Sequence, residues 1–163
     1  MTDRVVLEVD VAAPPEVVYD FFTQAELLCR WMGVDAELEA RPGGVFRFAI
    51  APGQFCSGRY VEADRPRRVV FTWGYESDAM PVEPGSTTVE VDIEAVGGGT
   101  RVRLVHSGLD AAMRAMHEDG WRRFLPRLAA VAVGRPAGFD PAAAYQDGSL
   151  PEIPEGEIPS EPR

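Results

Sequence analysis

The segment from Leu109 to Gly134 constrains the fold most, because it predicts one long helix late in the chain. Asp110 is suited to cap its first turn, and Gly134 is suited to end it. Gly120 and Pro126 are unusual inside a helix, since glycine costs about 1 kcal/mol relative to alanine and proline removes a hydrogen bond and kinks the axis. The residues that share one helix face, at intervals of three and four, are Met113, His117, Trp121, Phe124, Leu128 and Val131. Such a face needs a second layer of structure to cover it.

Upstream of this helix, apolar and polar residues alternate, which is the pattern of half-buried strands. Turn sequences such as Pro42-Gly43-Gly44 and Gly97-Gly98-Gly99 separate the alternating runs. An apolar stripe after Pro15 predicts a short helix to about Thr23, and residues 24–31 predict a second one. The strands are predicted at residues 5–11, 36–40, 45–50, 55–61, 69–75, 89–95 and 102–106. Consecutive short strands joined by tight turns indicate an antiparallel meander.

These elements predict an α+β fold, in which a curved antiparallel sheet of about six to seven strands wraps around the C-terminal helix and two short helices follow the first strand. We expect residues 1–134 to form this domain. The segment 135–163 has six prolines, six acidic residues, two arginines and few large apolar side chains. That composition predicts an extended or disordered tail.

Composition and charge argue against several classes of partner. The net charge is −10, and an acidic chain without a basic cluster is a poor candidate for binding nucleic acid or an anionic membrane. No stretch approaches the roughly 20 apolar residues needed for membrane insertion. Cys29 and Cys56 lack the spacing of a metal site, and the first residues lack an export signal, so we expect reduced thiols and a cytoplasmic location.

A series of short motifs occurs in one order along the chain. They are Ala13 to Tyr19, Trp31, Gly43-Gly44, Gly58, Pro66, Phe71-Thr72-Trp73, Gly99-Thr100, His106 to Leu109, and Gly120-Trp121 followed by Leu125 and Leu128. This series, over about Val5 to Val133, resembles the START-like (SRPBCC, helix-grip) superfamily. Within it, the series resembles the family similar to the C-terminal domain of the heat-shock-protein-90 ATPase activator.

The resemblance implies an apolar cavity between the sheet and the long helix. Superfamily members bind lipids, sterols, plant hormones and polyketides, and some are cyclases or aromatases. The chaperone activators carry a separate N-terminal domain that this sequence lacks, which makes a co-chaperone role in the stress response the less favoured alternative. We therefore expect the binding of a small apolar molecule without a cofactor, and keep a cyclase- or aromatase-like enzyme and a protein-interaction or co-chaperone-like module as alternatives. A homodimer is compatible with the sequence.

The expected ligand contacts are the large inward-facing residues of the implied cavity. They are Trp31, Phe46, Phe48, Tyr60, Phe71, Trp73, Val91, Leu104, His106, Met113, His117 and Trp121. His106 is the candidate catalytic base, because a histidine titrates near neutral pH. Tyr60 is a further acid–base candidate. The favoured interpretation of His106 is structural, namely local hydrogen bonding at the turn into the helix. Two histidines without a third ligand do not predict a metal site.

Overall fold

The computed structural model describes residues 4–137 and contains ten helices and strands within that range. They are, in chain order, β1 (Val5–Val11), α1 (Pro15–Thr23), α2 (Ala25–Leu28), β2 (Asp35–Leu38), β3 (Val45–Ala51), β4 (Gln54–Asp64), β5 (Arg68–Trp73), β6 (Thr87–Val96), β7 (Gly99–Ser107) and α3 (Ala111–Val131). The predicted α+β fold, with seven strands, two short helices after β1 and one long C-terminal helix, is confirmed. Most of the predicted tail lies outside the described residues.

All neighbouring strands pair antiparallel, in the order β1-β7-β6-β5-β4-β3-β2. Strands β2 to β7 therefore form the expected meander, and the first strand of the chain pairs with the last. In that pairing Val5 lies opposite His106 and Val11 lies opposite Thr100. This arrangement brings the two ends of the domain together beside α3.

Helix α3 packs its predicted face against the sheet. Of the face residues, His117, Trp121, Phe124 and Leu128 are buried, and Leu125 is buried beside them. The Asp110 side chain accepts a hydrogen bond of 2.9 Å from the Met113 backbone N–H, as expected of an N-cap. The helix continues through Pro126 to Val131. Gly134 follows with a φ of +83°, in the left-handed region that favours glycine.

Most elements differ from the predicted ones by a few residues at their ends, and β3, α2 and β5 differ in ways that affect the site. The register of β3 shifts between Ala49 and Ala51, so that these two alanines are buried while Ile50, expected inward with Phe46 and Phe48, is only half-buried. Such a bulge adds one residue and reverses the alternation after it. Helix α2 is shorter than residues 24–31, and β5 ends at Trp73 rather than at residue 75. Tyr75 instead forms an isolated bridge with Cys56.

Candidate functional site

A cavity of about 640 Å³ lies beside the middle of α3. Its walls come from α3, from the β3–β4 hairpin, from the β5–β6 loop (residues 74–86), and from Trp73 at the end of β5 and Met32 between α2 and β2. Most wall residues are aromatic, aliphatic or thioether side chains. Those on α3 and the floor are Trp73, Met116, His117, Gly120, Trp121 and Phe124; those on the hairpin and loop include Ile50, Phe55, Tyr75 and Met80. The cavity is therefore mainly apolar, and it sits at one end of the helix–sheet interface.

Three of the twelve predicted contact residues, Trp73, His117 and Trp121, line this cavity. The other nine do not. Met113 is half-buried on α3. Eight have exposed fractions of 0–1% in the core: Trp31, Phe46, Phe48, Tyr60, Phe71, Val91, Leu104 and His106.

The physical reason is the bulk of the inward residues of the sheet. Phe46 stacks on Phe71 with ring centroids 4.1 Å apart, and Tyr60 meets both rings edge-on. The Tyr60 hydroxyl donates to the Phe22 carbonyl at 2.9 Å, and burial raises the pKa of this phenol. Trp31 likewise donates from its indole nitrogen to the Phe21 carbonyl at 3.0 Å. These rings fill the centre of the interface and attach α1 to it, and the cavity described above lies at one end of that interface.

Sequence reasoning missed several residues that line the cavity. Tyr75 continues the period-two run of Val69, Phe71 and Trp73, and this signal could have identified it. Phe124 was available from the helix face. Met80 comes from an irregular loop, where no periodic pattern exists to place it.

His106 lies at the centre of a directional hydrogen-bond chain. The Trp121 indole N–H donates to His106 Nδ1 at 3.1 Å, and since an indole only donates, Nδ1 must accept. The proton of the neutral ring is then on Nε2, which donates to the Thr87 hydroxyl at 2.9 Å, and Thr87 donates to the Trp73 carbonyl at 2.8 Å. Burial lowers the pKa of His106 to about 3. Both ring nitrogens are committed inside the core, which suits a structural role for His106, but the partners Thr87 and Trp121 are 19 and 15 residues away rather than local to the turn as expected.

His117 forms a second neutral pair with Tyr75 in the cavity wall. His117 Nδ1 lies 2.7 Å from the Met113 carbonyl, which can only accept, so Nδ1 carries the proton. Nε2 then accepts from the Tyr75 hydroxyl at 2.8 Å. Burial lowers the pKa of His117 and raises the pKa of Tyr75, which keeps both groups uncharged at neutral pH. The rings of His106 and His117 lie 5.2 Å apart, so the docking of α3 on the sheet brings the two histidines together.

Trp73 adds one unsatisfied polar atom to this region. Its ring is 3% exposed, and within residues 4–137 its indole nitrogen has no hydrogen-bond partner. A buried donor without a partner is uncommon, because it loses its hydrogen bond to water without replacement. Among the residues that the structure describes, no group of three or more His, Cys, Asp or Glu side chains is arranged to hold a metal ion.

An ion pair joins β3 to the β5–β6 loop next to the cavity. Arg47 on β3 donates two hydrogen bonds, of 2.7 and 3.0 Å, to the Glu76 carboxylate, and its guanidinium lies 3.7 Å from the centre of the Phe55 ring. Gly74 allows the β5–β6 loop to fold back, since a Cβ there would collide with the Glu83 carbonyl oxygen. The loop that carries Tyr75 and Met80 is thereby fixed against the hairpin.

Comparison with known proteins identifies the family. The model of the family described as Activator of Hsp90 ATPase homolog 1-like protein matches residues 12–132. The chain belongs to this family. Its START-like character, expected from the ordered motifs, is thus confirmed. No curated protein matches the chain, and no helix in the described part is long and apolar enough to cross a membrane.

Solved structures agree with this assignment. The solution structure of an AHSA1-like protein from Rhizobium etli is 41% identical, covers 85% of this chain and 86% of its own, and superposes with a TM-score of 0.67. DynU16, from the dynemicin biosynthetic locus, is 23% identical over 86% of this chain, with a TM-score of 0.73; this chain spans only 51% of DynU16. The Aha1 dimer from Colwellia psychrerythraea is 21% identical over 79% of this chain and 95% of its own, with a TM-score of 0.68. The last two similarities show the fold alone.

Proposed function

We propose that this chain binds a small, mainly apolar molecule in the cavity beside α3. The observation that carries the proposal is the cavity itself, whose volume of about 640 Å³ falls within the roughly 300–1,000 Å³ of small-molecule sites. Its aromatic and thioether walls provide apolar contact area, and methionine side chains adapt to varied shapes. The Tyr75–His117 pair is the polar group that could orient a ligand.

Exposed residues at the rim of the cavity give a ligand access to this site from solvent. Gly53, Ser77 and Asp119 line the cavity and are themselves exposed. Asp119 is paired with Arg123, one turn further along α3, at 3.0 Å. A charged pair at the cavity entrance with apolar walls below it suits a ligand that has an apolar end inside the cavity and a polar end in solvent.

Native mass spectrometry and thermal unfolding with a panel of lipids and aromatic polyketides test this proposal. A member present at about 100 times its Kd should raise the free energy of unfolding by about 2.7 kcal/mol, and so raise the Tm by roughly 5–10 °C. Sugars of similar size serve as the polar control and should give no shift. If no panel member forms an adduct or shifts the Tm, the proposal is wrong.

A cyclase- or aromatase-like enzyme is the second candidate, and the Tyr75–His117 pair favours it. Tyr75 places a hydroxyl in the cavity wall, hydrogen-bonded to the neutral imidazole of His117 at 2.8 Å, so the pair offers groups of the types that act as general acid and general base. A cyclase or aromatase should convert a bound compound into a product with a different chromatographic retention time, and with a lower mass where water is lost, and Tyr75→Phe should abolish that conversion while the compound still binds. Recovery of every bound panel member unchanged after long incubation with the wild-type chain would rule out this candidate for those compounds.

The protein-interaction or co-chaperone-like alternative is supported by the family description alone. We also propose that the folded domain spans residues 1–134, that the protein is cytoplasmic, and that it forms a homodimer, as named for the Colwellia psychrerythraea protein. Sedimentation equilibrium tests the last point, since a single species with the mass of one chain would contradict it.

A further inference from the structure

The fold does not require glycine at position 120. Gly120 lies in the interior of α3 and its φ is outside the left-handed region. A Cβ built on it meets no heavy atom within 4 Å, in contrast to Gly74, where a Cβ would collide with the Glu83 carbonyl. Glycine weakens a helix relative to alanine, because it loses more backbone entropy on folding. Alanine at position 120 would therefore fit without a clash and would make the helix more stable than glycine does.

Gly120 interrupts the cavity wall. On α3 the residues three and four positions before and after it are Met116, His117, Arg123 and Phe124, and all four line the cavity, as does Gly120. Residues three and four apart share a helix face, so the missing side chain leaves bare backbone between these four. Close approach of a ligand to the backbone is one of the established uses of glycine, and the empty space in front of Gly120 fits it.

We propose that Gly120 is a specificity-determining residue, whose missing side chain admits a rigid part of the ligand against the backbone of α3. This inference rests on the proposed ligand-binding function of the same cavity. Any side chain at position 120 would project into the space that the ligand uses, and it would do so without disturbing the packing of the protein. Increasing side-chain size should therefore weaken binding while the fold remains intact.

The variants Gly120→Ala and Gly120→Leu test the inference, with Ala115→Leu as the matched control. Ala115 is exposed on α3 and does not line the cavity. The probe is N-phenyl-1-naphthylamine, a neutral aromatic dye whose fluorescence rises in apolar sites. Gly120→Leu should weaken dye binding about tenfold to a hundredfold, the usual effect of overfilling a packed space. Ala115→Leu should leave dye affinity within about twofold, and Gly120→Ala should raise the Tm by about 2–4 °C.

Each outcome of this experiment either supports or overturns the inference about Gly120. Lost dye binding in Gly120→Leu, with the Tm of Gly120→Ala raised, supports the inference. Unchanged dye binding in Gly120→Leu overturns it while the proposed function stands. A lower Tm in Gly120→Ala also overturns it, because the position would then be packed. Should Gly120→Leu unfold, the affinity of Gly120→Ala decides, since the added methyl must already weaken binding. A wild-type chain that binds neither the dye nor any panel member overturns the proposed function, and the inference with it.

Discussion

Replacing His106 with glutamine should reduce the dependence of stability on pH between pH 7 and pH 5. In the folded chain His106 is fully buried, and its pKa is lowered to about 3 from an ordinary 6.5, first by burial and then by the neighbouring His117. Below pH 6.5 the unfolded chain binds a proton at this residue and the folded chain does not. Stability is therefore complete above pH 6.5 and falls as the pH drops towards 3.

The size of the effect follows from the two pKa values. Each unit between the ordinary pKa and the working pH corresponds to about 1.36 kcal/mol. In the unfolded chain pH 5 lies about 1.5 units below the histidine pKa. His106 alone should therefore lower the free energy of unfolding by about 2 kcal/mol at pH 5 relative to pH 7. His117, whose pKa is also lowered by burial, adds a loss of the same sign.

Urea unfolding of both chains at pH 5, 6 and 7 measures this difference. Glutamine cannot titrate, so His106→Gln should lose about 2 kcal/mol less than the wild type between pH 7 and 5, while carboxylates and His117 contribute equally to both and cancel. At pH 7 the variant should be less stable by about 1–3 kcal/mol, because the bonds to Trp121 and Thr87 are imperfectly replaced. A difference in pH dependence below about 0.5 kcal/mol would refute the reasoning, since His106 would then accept a proton in the folded state.

Substitutions at two further positions test how α1 and α3 are stabilised. Tyr60→Phe should lower the free energy of unfolding by about 1–2 kcal/mol, because the buried Phe22 carbonyl loses its donor; thermal unfolding measures this, and a loss near zero would show that the bond of 2.9 Å is not stabilising. Asp110→Ala should cost about 1 kcal/mol in the same assay, because the Met113 N–H loses its cap, whereas Asp110→Asn should cost only a few tenths. Equal losses in the two Asp110 variants would contradict the capping role.

Much of the fold was predictable because local patterns agree with the tertiary arrangement. The alternation of Val69, Phe71 and Trp73 places them on one face of a strand whatever that strand pairs with, and all three are buried. The spacing of His117, Trp121, Phe124 and Leu128 likewise defines one face of α3. Local patterns do not predict features that are set by strand pairing. The bulge after Ala49 is one such feature, because it depends on how β3 aligns with β4.

The candidate site was predictable only in part. The structure places Trp73, His117 and Trp121 in the cavity wall, and their inward direction is a local property of strand and helix spacing. Which inward residues leave a gap is not local, because it depends on how rings from several strands fill a shared volume. Phe46, Tyr60 and Phe71 fill their shared volume by packing against one another, and no spacing along the chain reveals that packing.

The amino-acid sequence by itself determined the elements, their inward faces and the family, since periodicity, turn residues and the order of motifs are properties of the chain. Tertiary structure alone decided where the cavity lies, how His106 and His117 hold their protons, and that Gly120 faces empty space. Each of these depends on contacts between residues distant in sequence, such as the bond of 2.8 Å between Tyr75 and His117. Proton positions and cavities arise from such contacts, because a partner and a void exist only once the chain has folded.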